Sequence, residues 1–270
     1  VLTHEFRKIK DDIVNIELDD SRRISIMKSL MMMIYSQLFE YIVVELNDLL
    51  SIDIHHKFRT VSFLDIFGFE VFVKNCFEQF CINFANEKLH NKFLNCAIHD
   101  KISEYAEEGL TASIQKNIEN SDTIHICCRI IDALETTHAL NLAQDKFMLN
   151  IYNIEGLKFP KLKKVNEKDV FIVKYYADEV RYDSSLFVEK NTHSMKNKIL
   201  LNIIANSRSK YLHSLFNMSC DSEQQTSSFS KTVATKFKIE LNVLCYSIIS
   251  KQTFFVRCIS PNKQMSRIVP

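Results

Sequence analysis

Residues 61–70, Val-Ser-Phe-Leu-Asp-Ile-Phe-Gly-Phe-Glu, bring two carboxylates and a glycine close together as Asp65, Gly68 and Glu70. That set suits a terminal phosphate and its metal ion. A glycine lets its N–H approach a phosphate oxygen with no Cβ in the way, and an aspartate can hold a water bound to a divalent cation. Taken alone, Asp-x-x-Gly also describes an ordinary turn between a strand and a helix. No phosphate cradle accompanies it. The three glycines, Gly68, Gly109 and Gly156, lie too far apart for GxGxxG or GxxxxGK[ST], which excludes a self-contained P-loop nucleotidase within these residues.

Other chemistry-bearing residues are less concentrated. Eight cysteines form no CxxC pair and no Cys/His zinc spacing, so they read as reduced thiols in a cytosolic protein. The net charge of +1 gives no overall attraction to nucleic acid or an acidic membrane, so charge-based recognition has to be local. Lys158, Lys161, Lys163 and Lys164 form one basic run, which most often means a solvated face. The polar run 219–230 carries only Asp221 and Glu223 before Lys231. The longest charge-free apolar stretch, 29–39, is about half of the roughly 20 residues a membrane span needs, so no span is expected. With 46% hydrophobic residues the chain can bury a core, which excludes disorder.

The elements that must position Asp65, Gly68 and Glu70 follow from periodicity. Residues 58–66 are rich in β-formers and end at Gly68, predicting a buried strand whose carboxyl end carries the motif, where open α/β sheets bind ligands. A long helical pattern follows over 72–105, with no proline or glycine inside it. Upstream, apolar residues spaced by three and four predict one helix over 21–50. Downstream, two shorter helices are expected within 123–150, a β pair at 170–176 and 180–182, helices at 186–204 and 232–250, and a strand at 253–259. The class is mixed α/β with helix dominating.

The segment Glu70-Val-Phe-Val-Lys-Asn-Cys-Phe-Glu-Gln-Phe-Cys-Ile-Asn-Phe-Ala-Asn-Glu-Lys-Leu89 after the motif resembles switch II and the relay helix of the myosin motor. Four more blocks resemble that family in its order: residues 35–43, 173–180, 187–191 and 254–262. The resemblance implies a helix-dominated α/β fold, a partial P-loop-NTPase-type myosin head with an incomplete central sheet. Its parts would be the end of an upper actin-binding subdomain at 1–57, the switch II strand and relay helix at 58–105 and a lower actin-binding subdomain at 106–218. A flexible loop at 219–231 and a helix with a sheet strand at 232–270 would follow. The start at Val1 and the end at Pro270 fit an excerpt, with P-loop and switch I before it and the lever, with its light chains, after it.

By the same resemblance Gly68 donates to the γ-phosphate of ATP, Asp65 sits behind Mg²⁺, and Glu70 pairs with a switch I arginine. Phe77 and Phe84 are the aromatics expected to govern bending of the relay helix. Actin contacts are expected at the tip of the two helices between 124 and 147, where Asn141 and Leu142 replace the family's proline and glycine, and at Lys158, Lys161, Lys163, Lys164 and Lys231. Counting back from Lys28, a position that faces actin falls on Asp12. The implied function is ATP-driven force on actin filaments in the cytoplasm, with no nucleic acid or membrane partner. These residues alone are expected to be inactive. The competing expectation is a degenerate scaffold that binds actin or another partner without cycling nucleotide.

Overall fold

A computed structural model describes residues 4–9, 12–51, 59, 61–110, 121–155, 161–191, 204, 206–217 and 232–256. The chain divides into two compact units, Val1–Asp65 with Glu189–Val233, and Ile66–Val188 with Ala234–Pro270.

The first unit opens with an antiparallel hairpin, β1 (His4–Ile9) and β2 (Asp12–Glu17), in which His4 faces Glu17 and Ile9 faces Asp12. Helix α1 (Asp20–Leu50) follows, as its spacing predicts. Asp20 places negative charge at the positive end of the helix dipole and pairs with Arg23 at 3.2 Å. Leu18 and Ile26 are buried, with Leu30 and Met33 packed against them. Beyond that first stretch the apolar residues of α1 face outward: Met31, Tyr35, Phe39 and Leu49 are all exposed. Tyr41 meets Tyr211 of α7 (Lys210–Asn217) edge to face at 6.3 Å. By length and composition alone Ile26–Leu50 is apolar enough to cross a membrane, although Glu40 and Glu45 interrupt it.

The second unit is built round α2 (Phe77–Leu94) and a three-stranded antiparallel sheet in the order β3 (Leu162–Lys164), β4 (Val170–Lys174), β5 (Glu179–Asp183). β5 alternates buried Val180 and Tyr182 with exposed Glu179 and Arg181, the pattern of a sheet with one wet face. Val170, Phe171 and Val173 of β4 are buried. Phe187, which opens α6 (Phe187–Asn191), is the hub of the core, with Phe77, Phe80, Phe147, Phe171 and Tyr182 all within 6.5 Å between ring centroids. Each such ring contributes about 1.5–3 kcal/mol by burial. Helices α4 (Ser121–Ala139) and α5 (Gln144–Glu155) form an antiparallel pair, and the Thr123 hydroxyl ties α4 to the Lys174 carbonyl of β4 at 3.1 Å. Helix α8 (Val233–Ile249) joins α2 through Phe237 against Phe84 and Asn242 with Lys88, and α4 through Lys238 and Asp132 at 2.7 Å.

Several expectations change. Residues 61–66 form no strand: Val61, Phe63 and Leu64 are exposed, and nothing among the described residues pairs with their backbone. A strand exists only through its ladder, so β-forming side chains without a partner strand leave an irregular segment. Residues 253–256 are irregular too, and 257–259 lie outside the described residues. The two sheets among the described residues, β1–β2 and β3–β4–β5, are both small and antiparallel. The single helix expected over 72–105 starts only at Phe77 and is interrupted by a π-helical turn, Asn95–His99, before α3 (Asp100–Glu107). Of the helix expected over 186–204, Phe187–Asn191 is observed and 192–203 lie outside the described residues.

Candidate functional site

Segment 61–76 has no regular structure apart from one bridge, yet its second half is held firmly. Asn83 of α2 grips the backbone of Glu70 from both sides: the Glu70 N–H donates to Asn83 Oδ1 at 2.8 Å, and Asn83 Nδ2 donates to the Glu70 carbonyl at 2.7 Å. One turn on, Asn86 Nδ2 donates to the Phe67 carbonyl at 3.0 Å. Gln79 binds the Cys76 N–H at 3.0 Å, capping α2, and its amide reaches the Glu70 carboxylate at 3.5 Å. Phe69 packs edge-on against Tyr175 and Tyr176. Asn75, 2% exposed, closes a turn on Phe72, accepts from the Asp183 N–H through its carbonyl and donates to the Arg181 carbonyl, forming the one bridge between the segment and β5. The turn around Gly68 is thereby fixed to one helix and one strand.

Glu70 is half-buried, while Asp65 and Gly68 are exposed. A Cβ built on Gly68 would meet no atom within 4 Å, and its φ is not in the left-handed region. Nothing in these residues therefore requires glycine there. Among the described residues no group of three His, Cys, Asp or Glu side chains comes together to hold a metal ion.

Two further residues escaped the sequence reading. Asn83 is fully buried and also donates to the Tyr182 hydroxyl at 3.0 Å, which donates in turn to Tyr175. Glu87 is fully buried; one carboxylate oxygen accepts the Tyr176 N–H at 3.0 Å and the other has no hydrogen-bond partner. Burial pushes the Glu87 carboxyl up to about 7, against the opposing pulls of the Tyr176 N–H and the Lys161 charge. The available signal was positional: Asn83, Asn86 and Glu87 stand at spacings of three and four, on the face that Phe80 and Phe84 turn to the core.

Phe77 and Phe84 are both core residues, 4% and 0% exposed. The irregularity in the helix lies further along, at the π-helical turn. At the α4–α5 corner Asn141 adopts φ 50° and Leu142 donates its N–H to the Thr137 carbonyl at 2.8 Å, so asparagine fills the left-handed position that usually takes glycine at a helix end. Asn141 is exposed and Leu142 half-buried. Of the lysine run, Lys161 lies in a turn, Lys163 on β3 pairs with Glu179 at 2.7 Å, and Lys164 lies 4.1 Å above the Tyr152 ring. Asp12 opens β2 in the hairpin. Lys158 and Lys231 lie outside the described residues.

Long helices set on a small antiparallel sheet, with an Asp-x-x-Gly-x-Glu turn bonded to the first helix of the second unit, have the make-up of a motor-domain fragment. The chain belongs to the myosin head (motor domain) family, whose model matches residues 1–269. It is 31% identical over 253 residues to unconventional myosin-VI of Mus musculus, covering 86% of this chain and 20% of that protein. It is 33% identical over 258 residues to the myosin-I heavy chain of Dictyostelium discoideum, covering 91% of this chain and 10% of that one. Myosin-5 of Arabidopsis thaliana is 31% identical over 266 residues, 93% of this chain and 17% of its own. The chain thus spans a fifth or less of the length of these relatives.

Proposed function

We propose that this chain is the portion of an actin-based, ATP-driven motor that turns events at the nucleotide into movement of helices. In this reading residues 65–70 are switch II and α2 is the relay helix. The carrying observation is the double hydrogen bond between Asn83 and the Glu70 backbone, because it makes the turn and the helix move as one body. The open space before Gly68 suits a phosphate oxygen on its N–H. Glu70, held by its backbone with its carboxylate toward Gln79, would pair with an arginine contributed from elsewhere in the motor. Bound Mg²⁺ would neutralise phosphate charge, with Asp65 behind its water. Catalysis then rests on positioning and electrostatics more than on a strong base.

The α4–α5 corner, with Asn141 and Leu142, is the candidate actin contact, and Asp12 and the lysines are weaker candidates for the same role. Lys163 in particular is engaged by Glu179. Such a protein would act on cytoplasmic actin filaments.

The test is Gly68→Ala in the intact protein. Since a Cβ at Gly68 meets nothing within 4 Å among the described residues, the variant should unfold within about 0.5 kcal/mol of wild type, the range of a substitution that disturbs no contact. It should nevertheless lose actin-activated ATP turnover. An unchanged single-turnover hydrolysis step would show residues 65–70 to be a structural turn, as the scaffold reading requires.

A further inference from the structure

The same turn is tied to a third element. Tyr175, 5% exposed, lies just after β4, and its hydroxyl oxygen accepts two hydrogen bonds: from the Tyr182 O–H of β5 at 3.0 Å and from the Cys127 thiol of α4 at 3.8 Å. Tyr182, fully buried, accepts from Asn83 Nδ2 at 3.0 Å, and Asn83 brackets the Glu70 backbone. Cys127 is fully buried as well. An unbroken set of buried polar contacts thus runs from the Glu70 backbone through α2 and β5 to α4, the helix that ends at the exposed corner carrying Asn141. Water cannot replace a lost partner at such depth, so each bond constrains the next.

The geometry points to the Tyr175 hydroxyl as a positioning group that fixes the Glu70 turn from a distance and joins it to α4. It touches neither Glu70 nor any reacting atom, and it acts through Tyr182 and Asn83. With Tyr175→Phe the phenyl ring still fills the core and still packs on Phe69, while the Tyr182 O–H loses its acceptor and Cys127 its partner. Asn83 is then held by a hydroxyl free to reorient. In the motor reading, on which the kinetic part of this inference rests, the consequence is a turn less well placed for the chemical step.

The experiment is amide hydrogen exchange on the intact protein with Tyr175→Phe, Tyr182→Phe and the double variant, alongside single-turnover ATP hydrolysis. Exchange should rise in Tyr175→Phe by on the order of tenfold, the equivalent of one lost buried hydrogen bond, in segments 61–76 and 121–139 together. The double variant should exceed Tyr182→Phe by little, since both cut one chain. The single-turnover rate constant, which does not depend on the fraction of active protein, should fall several-fold with the KM for ATP unchanged. A rise confined to 170–183, a rise in every helix including α1, or effects that multiply in the double variant would each overturn the inference. A wild-type protein that does not hydrolyse ATP at all would sink the motor reading instead, and the exchange pattern would still decide whether Tyr175 positions the turn.

Discussion

At the scale of single residues, the chemistry legible in the sequence and the chemistry hidden from it lie side by side. Asp65, Gly68 and Glu70 stand out as an acidic pair around a glycine, a set that suits a phosphate as well as an ordinary turn. Asn83 and Glu87 do not, because one amide or carboxyl among phenylalanines looks like an interruption of a helical face until the backbone it serves is in view. Glu87 has a measurable consequence. Its carboxyl is pushed up to about 7 by burial, while the Tyr176 N–H and the Lys161 charge pull it down only in part. A raised folded-state pKa means that the folded protein binds the proton more tightly than the unfolded chain. The contribution of Glu87 to stability should therefore be fully present below about pH 4.5 and be lost as the pH rises through about 7. The loss should be on the order of 2 kcal/mol, because tenfold tighter proton binding corresponds to about 1.4 kcal/mol and solvent screens part of the effect. Glu87→Gln keeps an acceptor for the Tyr176 N–H and cannot ionise. Denaturant midpoints at pH 5, 6, 7 and 8 should therefore converge for wild type and variant at the acid end and separate toward neutral pH, the variant being the more stable. Parallel curves would mean that Glu87 is solvated.

At the scale of elements, the helices were readable and the strands only in part: the β pair expected at 170–176 and 180–182 is present as β4 and β5, whereas residues 61–66 form no strand. Periodicity predicts 21–50 and 232–250, and the structure has Asp20–Leu50 and Val233–Ile249. A helix satisfies its backbone locally, so its own residues carry the signal. Residues 61–66 have equally good β-formers, yet a strand needs a neighbour, and the hairpin β1–β2 went unforeseen because its pairing is not a property of either strand alone. The π-helical turn Asn95–His99 carries no proline or glycine to betray it. Such turns mark places where a helix departs from a straight rod, which is a useful property in a helix proposed to relay motion. How irregular segment 67–76 stays docked on α2 is testable by comparing its two asparagines. Asn83→Ala leaves the half-buried Glu70 N–H without its acceptor and strips the Glu70 carbonyl and the buried Tyr182 hydroxyl of a donor, which should cost about 2–4 kcal/mol. Asn86→Ala removes a donor from the carbonyl of exposed Phe67, where water substitutes, and should cost about 1 kcal/mol or less. Chemical denaturation of the two variants gives the comparison. Equal losses would remove Asn83 from its place as the principal clamp.

At the scale of the whole molecule, the outward-facing apolar surface is the dominant fact. In the first unit, Met31, Tyr35, Phe39 and Leu49 of α1 are exposed over at least three-fifths of their area. In the second, Val73, Tyr246, Phe254 and Val256 are exposed over at least seven-tenths. So many large apolar side chains this exposed are unusual on a monomer in water, and where they adjoin they mark surfaces that something covers. In the motor reading, segments from outside these residues are a sufficient source, because the matched stretch is a fifth or less of each relative's length. A net charge of +1 supplies almost no repulsion to keep uncovered copies apart. The isolated 270-residue chain should therefore self-associate at low micromolar concentration. It should also show no heat of binding with Mg·ATP, since Gly68 offers a single backbone donor where a triphosphate needs a cradle. Sedimentation velocity and titration calorimetry on the same preparation test the two halves of this expectation. A monodisperse, cooperatively melting monomer would show that the apolar faces of α1 and of segment 61–73 are tolerated in water. Micromolar Mg·ATP affinity in that monomer would place the whole nucleotide site within these residues and remove the need for a phosphate cradle contributed from outside them.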